Sequence, residues 1–105
     1  MPLEMVTAEQ LRLRIEAEIG GDWSCTNGHG CDLRQCLFEP EKQLFEDSDN
    51  PLWLLLEEDP VSRDGYKVVY DESTGMFGLA CRFMSGRNGY LGPYGDTFLE
   101  AFKAM

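Results

Sequence analysis

The longest unbroken apolar run of the chain, Leu52 to Leu56, lies near the middle of its 105 residues. Because successive side chains of a strand point to opposite faces, apolar residues at every position predict a strand that is covered on both faces. We therefore expect this run to be an interior strand of the only hydrophobic core. A chain of this length has the size of one domain, and residues 1–105 are expected to form it.

Two segments after this run have the pattern of further strands. Apolar side chains alternate with more polar ones in residues 66–71, and large with small ones in residues 76–83. Gly75 can supply the positive φ that a tight hairpin between them needs. On the second of these strands, Gly78 and Ala80 share a face and leave room for a close neighbour or a bulge. The sequence thus predicts three consecutive antiparallel strands.

A fourth strand is predicted to begin at Leu33, where the pattern becomes strand-like. Pro40 cannot donate to a ladder, so we expect the strand to end or turn there. Residues 43–46 are then expected to form a short return strand. The glycine-rich residues 85–95 instead predict a structured loop that packs over an edge of the core.

Helices are predicted at both ends of the chain. Thr7 and Gln10 have the spacing of a capping box, and the apolar periodicity that follows predicts a helix from about residue 7 to 19, which Gly20 ends. Asp96 is a good N-cap for a final helix. The order helix, three- to four-stranded antiparallel meander, helix predicts an α+β fold in which both helices pack on one face of the sheet, a two-layer sandwich.

The charge balance restricts the partners of this chain. Nineteen Asp and Glu residues against nine Lys and Arg residues give a formal net charge of −10. Nucleic-acid binding requires Lys and Arg to neutralise phosphates, and no basic stripe is present to do so. The lack of a basic stripe also argues against binding to anionic membranes. A strongly negative charge keeps a protein soluble, and solubility alone is a sufficient reason for it. If the charge also selects a partner, it favours a basic protein, because a strongly negative protein associates faster with basic partners.

The beginning of the chain predicts its location. Residues 1–4 lack the basic and apolar regions of a secretory signal. No stretch approaches the roughly 20 apolar residues of a membrane-spanning helix. We therefore expect a cytoplasmic protein whose cysteines remain reduced.

One segment contains residue types that bind zinc. Cys25, His29, Cys31 and Cys36 lie within twelve residues, and thiolates with an imidazole are the ligands that zinc prefers. Their spacing contains no C-x2-C pair, so no tight turn presents two ligands together. A thiolate activated by His29 would also need a third group to orient the imidazole, and the sequence identifies none. We expect no bound metal or cofactor and no catalysis here.

Two other patterns resemble binding sites for a nucleotide or for calcium, but each has a simpler structural explanation. The glycines of residues 85–95 suggest a phosphate-binding loop, but the Lys-Ser/Thr of a P-loop is missing and Asp96 would bring negative charge to the following helix end. The carboxylates of residues 57–59, together with those of residues 39–49, are expected to form a solvated acidic face. Neither pattern predicts a nucleotide or calcium site.

These observations favour a small acidic interaction protein, an adaptor or inhibitor without catalytic activity. The candidate interaction residues are aromatic or basic: Trp23, Trp53, Arg87, Tyr90 and Tyr94. The alternative is a metal-binding or thiol-dependent module that uses Cys25, His29 and Cys31. Two helices cover only one face of the predicted sheet, so we expect residues 22–32 or a second copy of the chain, in a homodimer, to cover the other face of Leu52–Leu56.

Overall fold

The computed structural model describes residues 6–24, 30, 32–48, 50–59, 61–62, 65–82 and 86–105, without the side chain of Phe38. These residues form an α+β fold with a helix near each end of the chain. Its elements, in chain order, are α1 (Ala8–Ile19), α2 (Leu33–Cys36), β1 (Leu37–Gln43), β2 (Leu52–Glu57), β3 (Tyr66–Asp71), β4 (Met76–Arg82), β5 (Asn88–Gly95) and α3 (Phe98–Ala104). No helix in these ranges is long and apolar enough to cross a membrane.

The sheet is an antiparallel meander in which the strands are neighbours in chain order, β1-β2-β3-β4-β5. The predicted class, the meander and the terminal helices are confirmed. The predicted number of three to four strands was wrong, because the described residues form a sheet of five. The additional strand is β5, which lies where a glycine-rich loop was expected.

The helix α1 forms as its sequence predicts. The Thr7 hydroxyl accepts from the Gln10 amide at 3.1 Å, and the Gln10 side chain accepts from the Thr7 amide at 2.9 Å. Gly20 ends the helix in the left-handed region at φ 62°. The side chains that α1 buries are Leu11, Ile15 and Ile19.

The carboxylate of Glu18 joins α1 to the beginning of α3. It accepts hydrogen bonds from the backbone amides of Phe98 and Leu99, each at 3.1 Å. These amides have no partner within the helix, and a negative charge is favourable at a helix N-terminus. The N-cap of α3 is Thr97, whose hydroxyl accepts from the Glu100 amide, so the prediction of Asp96 as N-cap was wrong by one residue.

Both terminal helices pack against one face of the sheet, here called the helix face. Strands β2, β3 and β4 contribute side chains to this core, and rings from the sheet and α3 contact one another, with Phe77 6.4 Å from Phe98 between ring centroids. The buried residues of this cluster are Leu11, Ile15, Ile19, Leu33, Cys36, Leu55, Leu56, Val68, Tyr70, Phe77, Leu79, Phe98, Ala101 and Phe102.

The opposite face is concave, and residues 44–48 cover it. The Glu46 amide donates to the Asn88 carbonyl, and the Tyr90 amide donates to the Glu46 carbonyl, so the chain reaches the outer edge of β5 three residues after it leaves β1. Three residues span at most about 10 Å, whereas a flat sheet would separate β1 and β5 by roughly 19 Å. The sheet is therefore strongly curved.

Phe45 fills the concave face. Its side chain is buried against Leu52, Leu54, Val69 and Ala80. All four leucines of β2 are buried within this single chain, and Trp53 is half-buried. Among the described residues, Phe45 therefore lies on the face of β2 for which residues 22–32 or a second copy of the chain were expected. The homodimer stays a prediction.

Gly78 lies on the concave face beneath the ring of Tyr90. A methyl group built on Gly78 would meet the Gly92 carbonyl oxygen and lie 2.9 Å from Cε1 of Tyr90. The predicted close neighbour of Gly78 is thus confirmed, and it is a residue of the unexpected strand β5. The half-buried phenol of Tyr90 has a raised pKa, because burial disfavours its charged form and the negative charge of Asp71 adds to this effect.

The region around Pro40 differs from the prediction in three ways. Residues 33–36 form the short helix α2 and not a strand, because the Asp32 carboxylate caps it by accepting from the Arg34 amide at 2.9 Å. Strand β1 continues through Pro40, which an edge strand with a register shift tolerates. Residues 43–46 form no return strand, since the chain crosses the concave face instead.

Candidate functional site

A groove of about 410 Å³ lies between α1 and β1. Its apolar lining consists of Trp23, Leu33 and Leu37, of which Leu33 is buried and the other two are half-buried. Four charged residues of the described ranges also line it: Arg12, Glu16, Arg34 and Glu39. This volume lies within the range of about 300–1,000 Å³ that is typical of ligand pockets. We call it the α1–β1 groove.

The helix α2 places Leu33 and Arg34 in the groove. Asp32 caps this single turn through its carboxylate, and the Asp32 carbonyl accepts from the Cys36 amide at 2.8 Å. Leu33 is fully buried, whereas Arg34 remains exposed. A fixed turn therefore supplies one apolar and one cationic side chain to the same groove.

The charges around the groove are only partly paired. Arg12 forms an exposed ion pair with Glu39 at 2.9 Å, so it joins α1 to β1 and does not pair with Glu16, as its i,i+4 spacing would allow. Within the described ranges, neither Glu16 nor Arg34 forms an ion pair. The groove thus presents one carboxylate on the α1 side and one guanidinium on the α2 side to a ligand.

Arg14 lies on the opposite flank of α1. It donates to the Asp96 carbonyl at 2.8 Å, and its guanidinium lies 4.9 Å from the centroid of the Phe77 ring. It also lies near Glu18, at 4.0 Å. Since the two arginines of α1 are held on opposite sides of the helix, neither forms an ion pair with Glu9 or Glu16 within the described residues.

The outward surface of α1 between these arginines is acidic. It carries Glu9, Leu13 and Glu16, which we call the acidic ridge. Leu13 is 54% exposed, and Glu9, like Glu16, forms no ion pair within the part of the chain that the structure describes. Two helical turns separate the carboxylates, a rise of about 10 Å. The ridge adjoins the groove because Glu16 belongs to both.

A second cavity, of about 520 Å³, lies between residues 44–48 and the adjoining ends of β4 and β5. Its charged lining residues are Glu46, Asp47, Arg82 and Arg87, so positive and negative side chains are balanced. Asp47 has φ 62° and is the only non-glycine residue with positive φ in the described ranges. Glu46, Arg82 and Arg87 already take part in interactions within the chain. This cavity therefore gives a weaker indication of a ligand than the groove.

Glu57 does not belong to an acidic surface. Its carboxylate lies 3.0 Å from the ammonium of Lys67, and both side chains are almost completely buried on the concave face. The predicted solvated face at residues 57–59 was therefore wrong for Glu57. Lys67 is buried as well, so β3 is buried on both faces although its polar residues alternate with apolar ones.

The five predicted interaction residues do not form one surface. Trp23 lines the α1–β1 groove, and Arg87 lines the second cavity. Trp53 lies on the helix face with the Lys42 ammonium 5.2 Å from its ring centroid, whereas Tyr90 lies on the concave face. Tyr94 is 51% exposed on β5. No sequence pattern singles out the groove residues Arg12, Glu16, Leu33 and Leu37.

Most of the predicted metal ligands lie outside the described residues. This applies to Cys25, His29 and Cys31. Cys36 is buried in the core of the helix face, where its thiol donates to the Glu58 carbonyl at 3.6 Å. In the described ranges, no three His, Cys, Asp or Glu side chains are grouped so that they could hold a metal ion.

Comparison with protein-family models, curated proteins and solved structures gave no match. The function must therefore be inferred from the site itself. The α1–β1 groove and the adjoining acidic ridge combine an apolar floor with exposed carboxylates.

Proposed function

We propose that this protein is a non-enzymatic interaction protein that binds a protein partner through a positively charged surface of that partner. The acidic ridge on α1 is the observation that carries this proposal. Glu9 and Glu16 are exposed and without ion pairs in the described part of the chain, and Leu13 between them offers exposed apolar surface. Such a surface is complementary to lysine or arginine side chains that flank an apolar residue.

The pairing of three cations with carboxylates supports the proposal. Arg12 and Lys42 form ion pairs with Glu39 and Glu72, and Lys67 is buried against Glu57. The exposed field of the protein, whose net charge is −10, is therefore dominated by carboxylates. Such a field raises the association rate of a basic partner, and added salt reduces this effect.

The same charge pattern disfavours a homodimer that forms through the acidic ridge. Two copies of the acidic ridge would bring like charges together, which is unfavourable, so the proposed partner is a different protein. We propose the cytoplasm as the location, which the free thiol of Cys81 supports because cysteines remain reduced there.

Affinity capture from the native host at increasing salt tests the proposal. The protein should retain a basic partner at low salt and lose it as salt rises. A double variant of the ridge, Glu9→Gln/Glu16→Gln, should weaken the capture several-fold. The matched control Glu41→Gln/Asp96→Asn removes the same charge from two other exposed carboxylates and should have a smaller effect. A partner whose retention depends on neither salt nor the ridge contradicts the proposal.

A further inference from the structure

We infer that the α1–β1 groove receives an apolar side chain of the partner, and that a lysine or arginine adjacent to it in the partner's sequence pairs with Glu16. This inference rests on the proposed function and specifies its site. The occupant is thus a short segment that combines one apolar anchor with one cation on a defined side.

The apolar part of the argument comes from the floor of the groove. Trp23, Leu33 and Leu37 line a volume of about 410 Å³ that is open to solvent. An aliphatic or aromatic side chain that enters the groove removes apolar surface from water on both molecules. Interface residues that contribute most to affinity are commonly such anchors in well-packed pockets, surrounded by charged or polar rims that exclude water.

The charged part comes from Glu16 and Arg34. They lie on different elements that flank the groove, α1 and α2, and neither has an ion pair within the described residues. A cation on the α1 side would meet the Glu16 carboxylate, whereas a cation on the α2 side would meet the like charge of Arg34. The partner segment therefore binds in one direction, because only one placement of its cation is favourable.

Trp23 provides a direct readout of this groove. The chain has two tryptophans, so a Trp53→Phe background leaves Trp23 as the only one. The probes are acetylated and amidated pentapeptides: Gly-Lys-Leu-Gly-Gly, a Lys→Gln version, a Lys→Glu version, a Leu→Gly version and Gly-Lys-Leu-Lys-Gly. None of them contains an aromatic residue, so changes in fluorescence report the environment of Trp23.

The Lys-Leu peptide should give a saturable change in Trp23 emission in the millimolar range. The Lys→Glu and Leu→Gly peptides should bind about tenfold more weakly. The first loses the ion pair with Glu16, and the second loses the apolar side chain that enters the groove. Glu16→Gln should lower the affinity for the Lys-Leu peptide several-fold and leave that for the neutral Gln-Leu peptide unchanged. Arg34→Gln should selectively improve binding of the peptide with a second lysine. Both substituted residues are exposed, so folding should be retained, which circular dichroism can verify.

The outcomes separate this inference from the function on which it rests. If a basic partner binds with salt and ridge dependence while the Lys-Leu peptide gives no saturable change, the groove inference is wrong and the proposed function stands. Equal binding of all peptides, or no effect of Glu16→Gln on the Lys-Leu peptide, also overturns it. If neither partner nor peptide binds, both proposals fail.

Discussion

Glu57 and Lys67 face each other across β2 and β3 with the carboxylate and ammonium 3.0 Å apart, and both side chains are buried on the concave face of the sheet. The pair lies directly after the register shift at Leu54–Leu56. A buried ion pair contributes less to stability than its charges suggest, because both groups lose their hydration. Removing only one partner is the costly change, since it leaves the other charge buried.

The substitution Lys67→Met should therefore lower the free energy of unfolding at pH 7 by about 3–5 kcal/mol. The double variant Lys67→Met/Glu57→Leu, which removes both charges, should recover most of this loss. Urea unfolding of Lys67→Met, Glu57→Leu and the double variant gives the coupling energy between the two residues. A loss below about 1 kcal/mol for Lys67→Met would show that the pair is not buried as described.

The contact of Glu18 with α3 gives a second prediction, for which Glu16 on the same helix is the matched control. Replacing Glu18 by alanine removes two hydrogen bonds to the α3 amides and should cost about 2 kcal/mol. Glu16→Ala, two residues earlier on α1, should change stability by less than about 0.5 kcal/mol because Glu16 is exposed. Thermal unfolding of both variants makes the comparison, and equal losses would contradict the Glu18 contact.

The close approach at Gly78 predicts an effect of a single methyl group. Gly78→Ala should destabilise the protein by about 1–3 kcal/mol, because the new Cβ would press against Tyr90 and the Gly92 carbonyl. In a Tyr90→Ala background the loss should be smaller, though not zero, since the carbonyl contact remains. Urea unfolding measures both losses. A Gly78→Ala variant as stable as the original protein would exclude this packing.

Glu72 predicts a dependence of stability on pH. Its pKa is lowered from 4.5, chiefly by the hydrogen bond from Lys42 and to a smaller extent by that from the Val6 amide, while burial opposes the shift. A carboxyl with a lowered pKa in the folded state stabilises the protein above its unfolded pKa, and this stabilisation is lost as pH falls through the folded value. Glu72→Gln should therefore cost about 1 kcal/mol at pH 7. The difference should shrink below pH 4.5; urea unfolding at several pH values measures it, and a constant difference would contradict the assignment.

Local patterns were sufficient to predict much of the fold. The capping box of Thr7 and Gln10 and the apolar run of β2 each depend on residues that are close in sequence. Where the prediction failed, local signals were ambiguous. Four residues of α2 carry too little periodicity to distinguish helix from strand, and only Asp32 as an N-cap indicated the helix. The glycines and Pro93 of β5 resemble a loop, but an edge strand tolerates them.

The candidate site was harder to predict because its residues come from separate elements. Trp23 could be chosen as an aromatic residue of a predicted loop, but its proximity to Glu16 and Leu37 depends on the packing of α1 against β1. The misassignment of Glu57 has a similar cause, since its burial depends on Lys67 and on the curvature of the sheet. A signal was nevertheless present, because Lys67 alternates with apolar residues and lies in the strand after Glu57.

Partner binding at the acidic ridge and the α1–β1 groove is tested most directly by amide chemical shifts of the ¹⁵N-labelled protein during titration with the captured partner. The largest changes should occur at Glu9, Leu13 and Glu16 on α1 and at Leu37 in the groove, and they should weaken in high salt. Changes centred instead on Arg82 and Arg87, or on the exposed residues of β5, would contradict this account of the protein.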